Sequence, residues 1–339
     1  MLSLLGGLPR FYGECMAIQA SVIVPVYNGE ETIVQCVESA LKQNFEGEYE
    51  VIVVNDGSTD QTEARVKKSK DVKLISQPNK GPAAARNRGA LEAKGEFIVF
   101  MDDDCAAEKD WLREMLKPFA DQEVVGVQGR YKNAQKEFIA QLIQLEIEER
   151  YEKLKKQKYV DHIGTYSAAY RRETFLAVKG FDEKFPIASG EDIDLSYRLA
   201  ERGHKLVFNW NAIVWHQHPV SVLHYYQVKF WRAYWRVRMY SKHKQKIMQD
   251  SYTSQNVKLQ IGLCYVFFVG LGGLFFTSKA RFIVVLTALA WVVSILKFWR
   301  FALRKRPLVG IISPVFLALR TFVFAAGFAY GVFREVLLK

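Results

Sequence analysis

Three adjacent carboxylates, Asp102-Asp103-Asp104, end the apolar run Glu96-Phe-Ile-Val-Phe-Met101. Carboxylates so placed repel one another unless a positive charge sits among them. A hard divalent cation such as Mg²⁺ or Mn²⁺, with oxygen ligands and a bound diphosphate, answers that need. In an open α/β sheet, ligands gather at the carboxyl ends of strands. A metal–nucleotide is therefore expected at this turn. The competing explanation is a solvated turn, because Asp favours turns and caps on its own account.

The elements that would position the triplet alternate between two periods. Ser21-Val-Ile-Val-Pro-Val26, Glu50-Val-Ile-Val-Val54, Val72-Lys-Leu-Ile-Ser76 and Phe97–Met101 read as strands. Glu31–Lys42, Gln61–Ser69 and Pro82–Ala93 read as helices, the last opened by Gly81-Pro82. This alternation predicts a Rossmann-like α/β domain with a mostly parallel sheet covered by helices. It brings Tyr27-Asn28, Asp56 and Asp102–Asp104 to one sheet edge. Neither G-x-x-x-x-G-K-[ST] nor a G-x-G-x-x-G after the first strand is present, which argues against an ATPase or a dinucleotide oxidoreductase. A diphosphate here needs a metal and scattered cations. Arg86 and Arg88, in the first turns of the helix after Gly81, are candidates, or else a solvated helix face.

The chain has 339 residues, half of them apolar, and a formal charge of +11. Cys15, Cys36, Cys105 and Cys264 form no C-x-x-C pair, which suggests reduced thiols in a cytoplasmic compartment. Three apolar stretches follow Val257: Leu259–Phe276, Phe282–Phe298 and Leu308–Phe333. Each is about long enough to span a bilayer, which takes roughly 20 helical residues. Lys242, Lys244, Lys246 and Lys258 precede the first, and Arg300, Arg304, Lys305 and Arg306 lie between the second and third. The positive-inside rule puts both basic stretches, and the polar domain, on the cytoplasmic side of an inner membrane. Three crossings would leave the carboxyl terminus outside. Arg320 at mid-membrane depth is costly and calls for a protein or polar partner. The expected boundaries are an extension at 1–19, a domain at 20–220, an amphipathic interfacial segment at 221–256 and a membrane unit at 257–339. Met1–Ala17 lacks the basic start of a signal peptide, and Met16 is an expected translation start.

Ser21-Val-Ile-Val-Pro-Val-Tyr-Asn28, Val53-Val-Asn-Asp-Gly-Ser-Thr-Asp60, Gly81-Pro-Ala-Ala-Ala-Arg-Asn-Arg-Gly89 and Phe100-Met-Asp-Asp-Asp104 appear in this order. As a set they resemble family 2 glycosyltransferases with the GT-A fold, over about Ala20 to Pro219. The resemblance implies inverting transfer of a sugar from a nucleotide-diphosphate-sugar, with UDP as the expected nucleotide and Mg²⁺ or Mn²⁺ as cofactor. It implies that Pro25, Tyr27, Asn28, Asp56 and Arg86 form the nucleotide-sugar site, with Tyr27 stacking on the base and Asp56 accepting a hydrogen bond from it. Asp102 and Asp103 would approach ribose and diphosphate. Asp104 would be the chief metal ligand, with Asp102 beside it. In Ser189-Gly190-Glu191-Asp192-Ile-Asp194, the resemblance makes Asp192 the base and Glu191 its helper. Asp194 is expected to be structural or a helper. The ordinary explanation for such acids is the helix dipole. In Trp215-His216-Gln-His218, His216 matches a metal-ligating histidine of relatives better than His218 does.

Gly164-Thr-Tyr-Ser-Ala-Ala-Tyr-Arg-Arg172 resembles the segment lining donor sugar and acceptor, where many relatives carry Asn at the place of Ser167. Phe138–Lys158 reads as a long charged helix on which Arg150 and Tyr151 are acceptor-facing or solvated. Tyr225–Tyr240 interleaves aromatic and basic residues. Such a pattern can stack nucleic-acid bases, but beside apolar spans it suits lipid headgroups, so membrane lipid and not nucleic acid is the expected partner. Gln227-Val-Lys-Phe-Trp231 lacks the arginine of the Gln-x-x-Arg-Trp motif of processive polysaccharide synthases. The expected acceptor is a lipid-linked or envelope glycan. A processive synthase–translocator and an inactive nucleotide-sugar-binding scaffold are the alternatives.

Overall fold

The computed structural model describes residues 17–185, 190–247 and 254–337. Met16 with the segment before it, and Ser189, lie outside the described residues. Runs of β-branched residues build the first strands, β1 (Ala20–Val26), β2 (Tyr49–Asn55), β3 (Val72–Ser76) and β4 (Phe97–Met101). Between them lie α1 (Ile33–Leu41), α2 (Thr62–Val66) and α3 (Pro82–Glu92). β1, β2 and β4 have buried centres because helices cover both sheet faces. Then come β5 (Cys105–Ala107), α4 (Trp111–Leu116), β6 (Val124–Lys132), α5 (Phe138–Leu154), β7 (Ser167–Arg171), α6 (Arg172–Ala177), α7 (Glu191–Glu201) and β8 (Lys205–His216).

The sheet order is β3-β2-β1-β4-β7-β6-β8-β5. The β3-β2-β1-β4 block is parallel, and β7 pairs antiparallel with both β4 and β6. The chain runs outward from β1 to β3, then returns to place β4 on the other side of β1. That reversal opens a crevice beyond the carboxyl ends of β1 and β4, where α/β sheets bind ligands. The expected strands and helices are present, with ends displaced by a few residues. The charged helix stops at Leu154 instead of Lys158.

The carboxyl-terminal part is helical: α8 (Val222–Lys242), α9 (Gln255–Gly273), α10 (Ala280–Lys305) and α11 (Pro307–Val332). The last three are long and apolar enough to cross a membrane. α9 and α10 form an antiparallel hairpin whose tip exposes Phe275 and Phe276. α11 packs lengthwise on α8. Tyr226 meets Phe316 near one end, and Tyr234 donates to Glu335 near the other. Gly327 and Gly331 let the two helices approach closely: a Cβ on Gly327 would lie 2.3 Å from the Phe230 carbonyl oxygen. α8 in turn is fixed to the α/β unit at both ends, by Tyr225 donating to Glu146 and by Lys242 on Asp182 and Asp194. The amino-terminal half of α11 therefore lies beside α5, and its carboxyl-terminal half beside α8.

Arg320 does not face lipid. It is buried against Glu146 of α5 and also donates to Gln260 of α9. Lys229 of α8 reaches the same carboxylate at 2.5 Å. Burial raises the Glu146 carboxyl, but Lys229 and Arg320 outweigh it and hold it down to about 2. One acid thus joins three elements. Glu146→Gln would leave two buried cations without a counter-charge. That should cost about 3–5 kcal/mol, the scale for breaking one side of a buried pair. Replacing Glu146, Lys229 and Arg320 together by Met should be milder. Denaturant unfolding of the detergent-solubilised protein measures both. A loss below about 1 kcal/mol for Glu146→Gln, the level of a surface pair, would show that water already shields this cluster.

Candidate active site

β1 ends at Tyr27 and Asn28. Tyr27 is half exposed and free to stack on a planar ligand. Asn28 adopts a positive φ of 53°, which Asn tolerates well, and its side chain accepts from the Thr59 amide. Pro25 is buried in β1 opposite Val54, so it shapes the strand end without offering a polar contact. Asp56 is buried and accepts from the Gln77 side chain and from the amides of Lys80 and Gly81. Three of its roughly four acceptor positions thus hold the loop before α3. One remains for a ligand.

The acidic triplet follows β4. Gly29 lets Asp103 sit against the end of β1; a Cβ there would fall 2.3 Å from the Asp103 carboxylate. Burial, then Asp104 and Asp102, push the Asp103 carboxyl up to about 7. Beneath lie the buried thiols Cys36 and Cys105, which burial and the triplet push up, so both stay protonated.

Arg86 is the link across the crevice. It is buried, donates to Asp102 at 2.7 Å and donates to Glu191 at 3.0 Å. It therefore joins the strand-end triplet to the first turn of α7. Gly190 enters that turn at φ 132°, a conformation that favours glycine. Asp192 lines the same cavity of 240 Å³ as Arg86, Asp102, Tyr166 and Trp235. Burial, then the adjacent Glu191, push its carboxyl up to about 7. Asp194 points elsewhere, into Arg198, Lys242 and His243. Burial opposes its ionisation, but these partners hold it well below the usual carboxylate range.

Asp104 lies 3.1 Å from His216 Nε2. His216 Nδ1 lies 3.0 Å from His218 Nδ1, and His218 Nε2 lies 2.9 Å from Gln144 Oε1. Gln144 Nε2 donates to Glu148, so Oε1 is the acceptor facing His218. The network assigns the protons. His218 donates from Nε2 to Gln144, and His216 donates from Nδ1 to His218. That leaves His216 Nε2 facing the Asp104 carboxylate. A proton or a metal cation between the two atoms satisfies both. Adjacent ligands at about 2.1 Å in an octahedral shell stand close to 3 Å apart, so the pair fits a small divalent ion. Burial raises the Asp104 carboxyl, but His216 more than offsets this and holds it low. Among the described residues no three His, Cys, Asp or Glu side chains converge as a metal cage. Asp104 and His216 would supply two ligands, and phosphate oxygens and water the rest, as is usual for Mg²⁺.

Several expected residues sit elsewhere. Arg88 is exposed and pairs with Glu92 along its own helix, so it is a solvated cation and not a phosphate clamp. Ser167 is buried under the site, accepting from Trp111, because its strand position faces α4. Tyr151 is core, its hydroxyl 2.7 Å from that of Tyr166. His218 orients His216 and is not itself placed beside the triplet. Sequence reasoning missed Arg232 and Arg236, which line the cavity with Asp192 and Arg150. Their i,i+4 spacing put both on one helix face, a detectable signal.

Residues 21–177 match the family model described as glycosyl transferase family 2. The pre-mycofactocin glycosyltransferase of Mycobacterium tuberculosis is 31% identical over 211 residues, covering 60% of this chain and 43% of that protein. Glycosyltransferase GlyG of Streptococcus pneumoniae is 36% identical over 118 residues, covering 33% of this chain and 39% of that protein. The chain spans less than half the length of these curated relatives. Among solved structures, the mannosyltransferase PcManGT from Pyrobaculum calidifontis, in complex with GDP-Man and Mn²⁺, aligns at a TM-score of 0.61 and 19% identity. That alignment covers 95% of this chain and 89% of that one, and it shows the fold. The matched strands, the crevice at β1 and β4, and the glycosyltransferase relatives agree: the α/β unit resembles glycosyl transferase family 2 over residues 21–177 and has the GT-A fold.

Proposed function

We propose that the chain is a divalent-cation-dependent, inverting glycosyltransferase. It takes a sugar from a nucleotide-diphosphate-sugar, with UDP as the working nucleotide, to a lipid-linked or envelope-glycan acceptor at the cytoplasmic membrane face. The observation that carries this reading is the Arg86 bridge. It holds Asp102, beside the candidate metal ligands, and Glu191, beside the candidate base, in one crevice. PcManGT, of the same fold, is solved with GDP-Man and Mn²⁺, which supports nucleotide-sugar and metal use.

Tyr27 offers a face for the nucleotide base, and the spare acceptor position of Asp56 can take one of its N–H groups. Asp104 and His216 would hold Mg²⁺ or Mn²⁺, which when bound offsets charge on the departing diphosphate. Asp192 accepts the proton of the acceptor hydroxyl. The hydroxyl oxygen bonds to the anomeric carbon, and the bond from that carbon to the diphosphate breaks with its electron pair on the leaving group. Glu191, tied to Arg86, keeps Asp192 basic through like-charge repulsion. Ionised Asp192 is the working form, so transfer should fall as pH drops through about 7.

The α9–α10 hairpin enters the bilayer in this reading, while α11 lies along α8. A reporter fused after Lys339 is then expected on the same side as one inserted within Arg300–Arg306. The basic asymmetry alone put them on opposite sides. Finding them there would restore a full crossing by α11 and refute its lengthwise docking.

Asp104→Asn should abolish Mn²⁺-dependent UDP binding while the protein stays folded. Calorimetry with and without Mn²⁺ reads this directly, and unchanged metal-dependent binding would remove Asp104 from the metal.

Asp192→Asn keeps the shape but removes the base. Turnover should drop by roughly 10²–10⁴, the usual range for a general base, with UDP affinity little changed. Asp194→Asn should do the reverse. It removes the counter-charge of Lys242, Arg198 and His243, so stability should fall while transfer by the folded protein persists. A larger transfer defect in Asp194→Asn than in Asp192→Asn would exchange their roles.

A further inference from the structure

A second cavity, of 470 Å³, lies between α5, α8 and the three apolar helices. Its volume is within the roughly 300–1,000 Å³ typical of small-molecule sites. Ile143, Ile261, Ile295, Leu317, Phe324 and Phe328 give it apolar walls. Four residues, Ile147, Arg150, Arg232 and Arg236, line both this cavity and the one that holds Asp192. The two spaces therefore meet at three arginines.

Several other charged groups on the apolar side are already engaged, Lys258 with the Ile247 carbonyl among them. Lys229 and Arg320 share Glu146, and Lys153 pairs with Glu149. Arg232 is exposed and makes no ion pair among the described residues. Lys229, already disfavoured as a cation by burial, is pressed further by the charge of Arg232. Arginine at such a junction is suited to phosphate, whose oxygens match its planar fork. A neutral soluble acceptor would use neither the arginines nor the apolar walls. A chain with a phosphate near its head uses both.

We propose that this cavity holds the apolar chain of the acceptor and that Arg150, Arg232 and Arg236 hold a phosphate in its headgroup. A hydroxyl beyond that phosphate is thereby presented to Asp192. The assignment of this ligand as acceptor rests on the transferase reading above; the binding site itself does not.

The test uses the full chain in nanodiscs of neutral lipid, with a hexadecyl phosphate carrying a diazirine near its tail. After photolysis, peptide mapping should place the label on the cavity walls of α5, α9 and α11. Unlabelled hexadecyl phosphate should compete, whereas hexadecanol and inorganic phosphate should not. Arg232→Gln should weaken capture about tenfold or more, the scale of one charge-assisted hydrogen bond. Ile261→Trp, which fills the cavity from α9, should prevent labelling there. UDP binding with Mn²⁺ in the same discs reports on the nucleotide site and should survive both substitutions. Equal capture of a diazirine hexadecanol, label confined to the bilayer-facing surface, or indifference to both substitutions would overturn the proposal while UDP binding stands. Loss of UDP binding by the unsubstituted chain, with the cavity still labelled, would instead sink the transferase reading and keep the lipid-phosphate site.

Discussion

One buried guanidinium orders this molecule. Arg86 leaves α3, passes under the crevice and is shared between Asp102 at the end of β4 and Glu191 at the start of α7. Without it, the triplet and the α7 acids would place uncompensated carboxylates in one half-dry space, at a cost of several kcal/mol per ion. The bridge also sets distances. Strand β4 and helix α7 are about ninety residues apart in sequence, yet two hydrogen bonds from one planar group fix their acids relative to each other. Arginine suits this task because its fork stays charged and planar when buried.

A second hinge of the architecture is α5. Gln144 accepts a hydrogen bond from His218 Nε2, which orients the His216 ring beside Asp104. Two residues on, Glu146 holds Lys229 of α8 and Arg320 of α11. Ile147 and Arg150 then line the junction between the two cavities. One helix thus touches the candidate metal end, the base end and the apolar helices. Its mixed polar and apolar character, which suggests a solvated helix, arises because it is packed on three sides by unlike neighbours.

The strands, their order of appearance and the convergence of Tyr27, Asp56 and Asp102–Asp104 were legible because local periodicity and turn chemistry decide them. The α8 helix was legible as amphipathic, but its partner was not. One face of it packs on α5, α7 and α11 and brings Arg232 and Arg236 to the cavity that holds Asp192, while Leu223 and Trp231 stay exposed on another. Pattern reports that a face wants cover and does not say by what. Ser167 misled for a related reason. Its motif straddles a loop and a strand start: the loop residues Gly164, Thr165 and Tyr166 line the site, while Ser167, the first residue of β7, goes beneath to Trp111.

Asp192 and Asp194 make the same point at the scale of one helical turn. They are two residues apart, so on a helix they point to nearly opposite sides. One side is the crevice, where burial and Glu191 disfavour charge. The other holds Arg198, Lys242 and His243, which demand it. The same side-chain type is therefore driven up toward neutral pH at one position and held firmly ionised at the next but one. No property of Glu-Asp-Ile-Asp alone assigns these roles; the cations that decide them come from the helix's own next turn and from α8, about fifty residues away. A group that must take up and release a proton needs an environment nearly balanced between its two states, and of these two carboxylates only Asp192 has one.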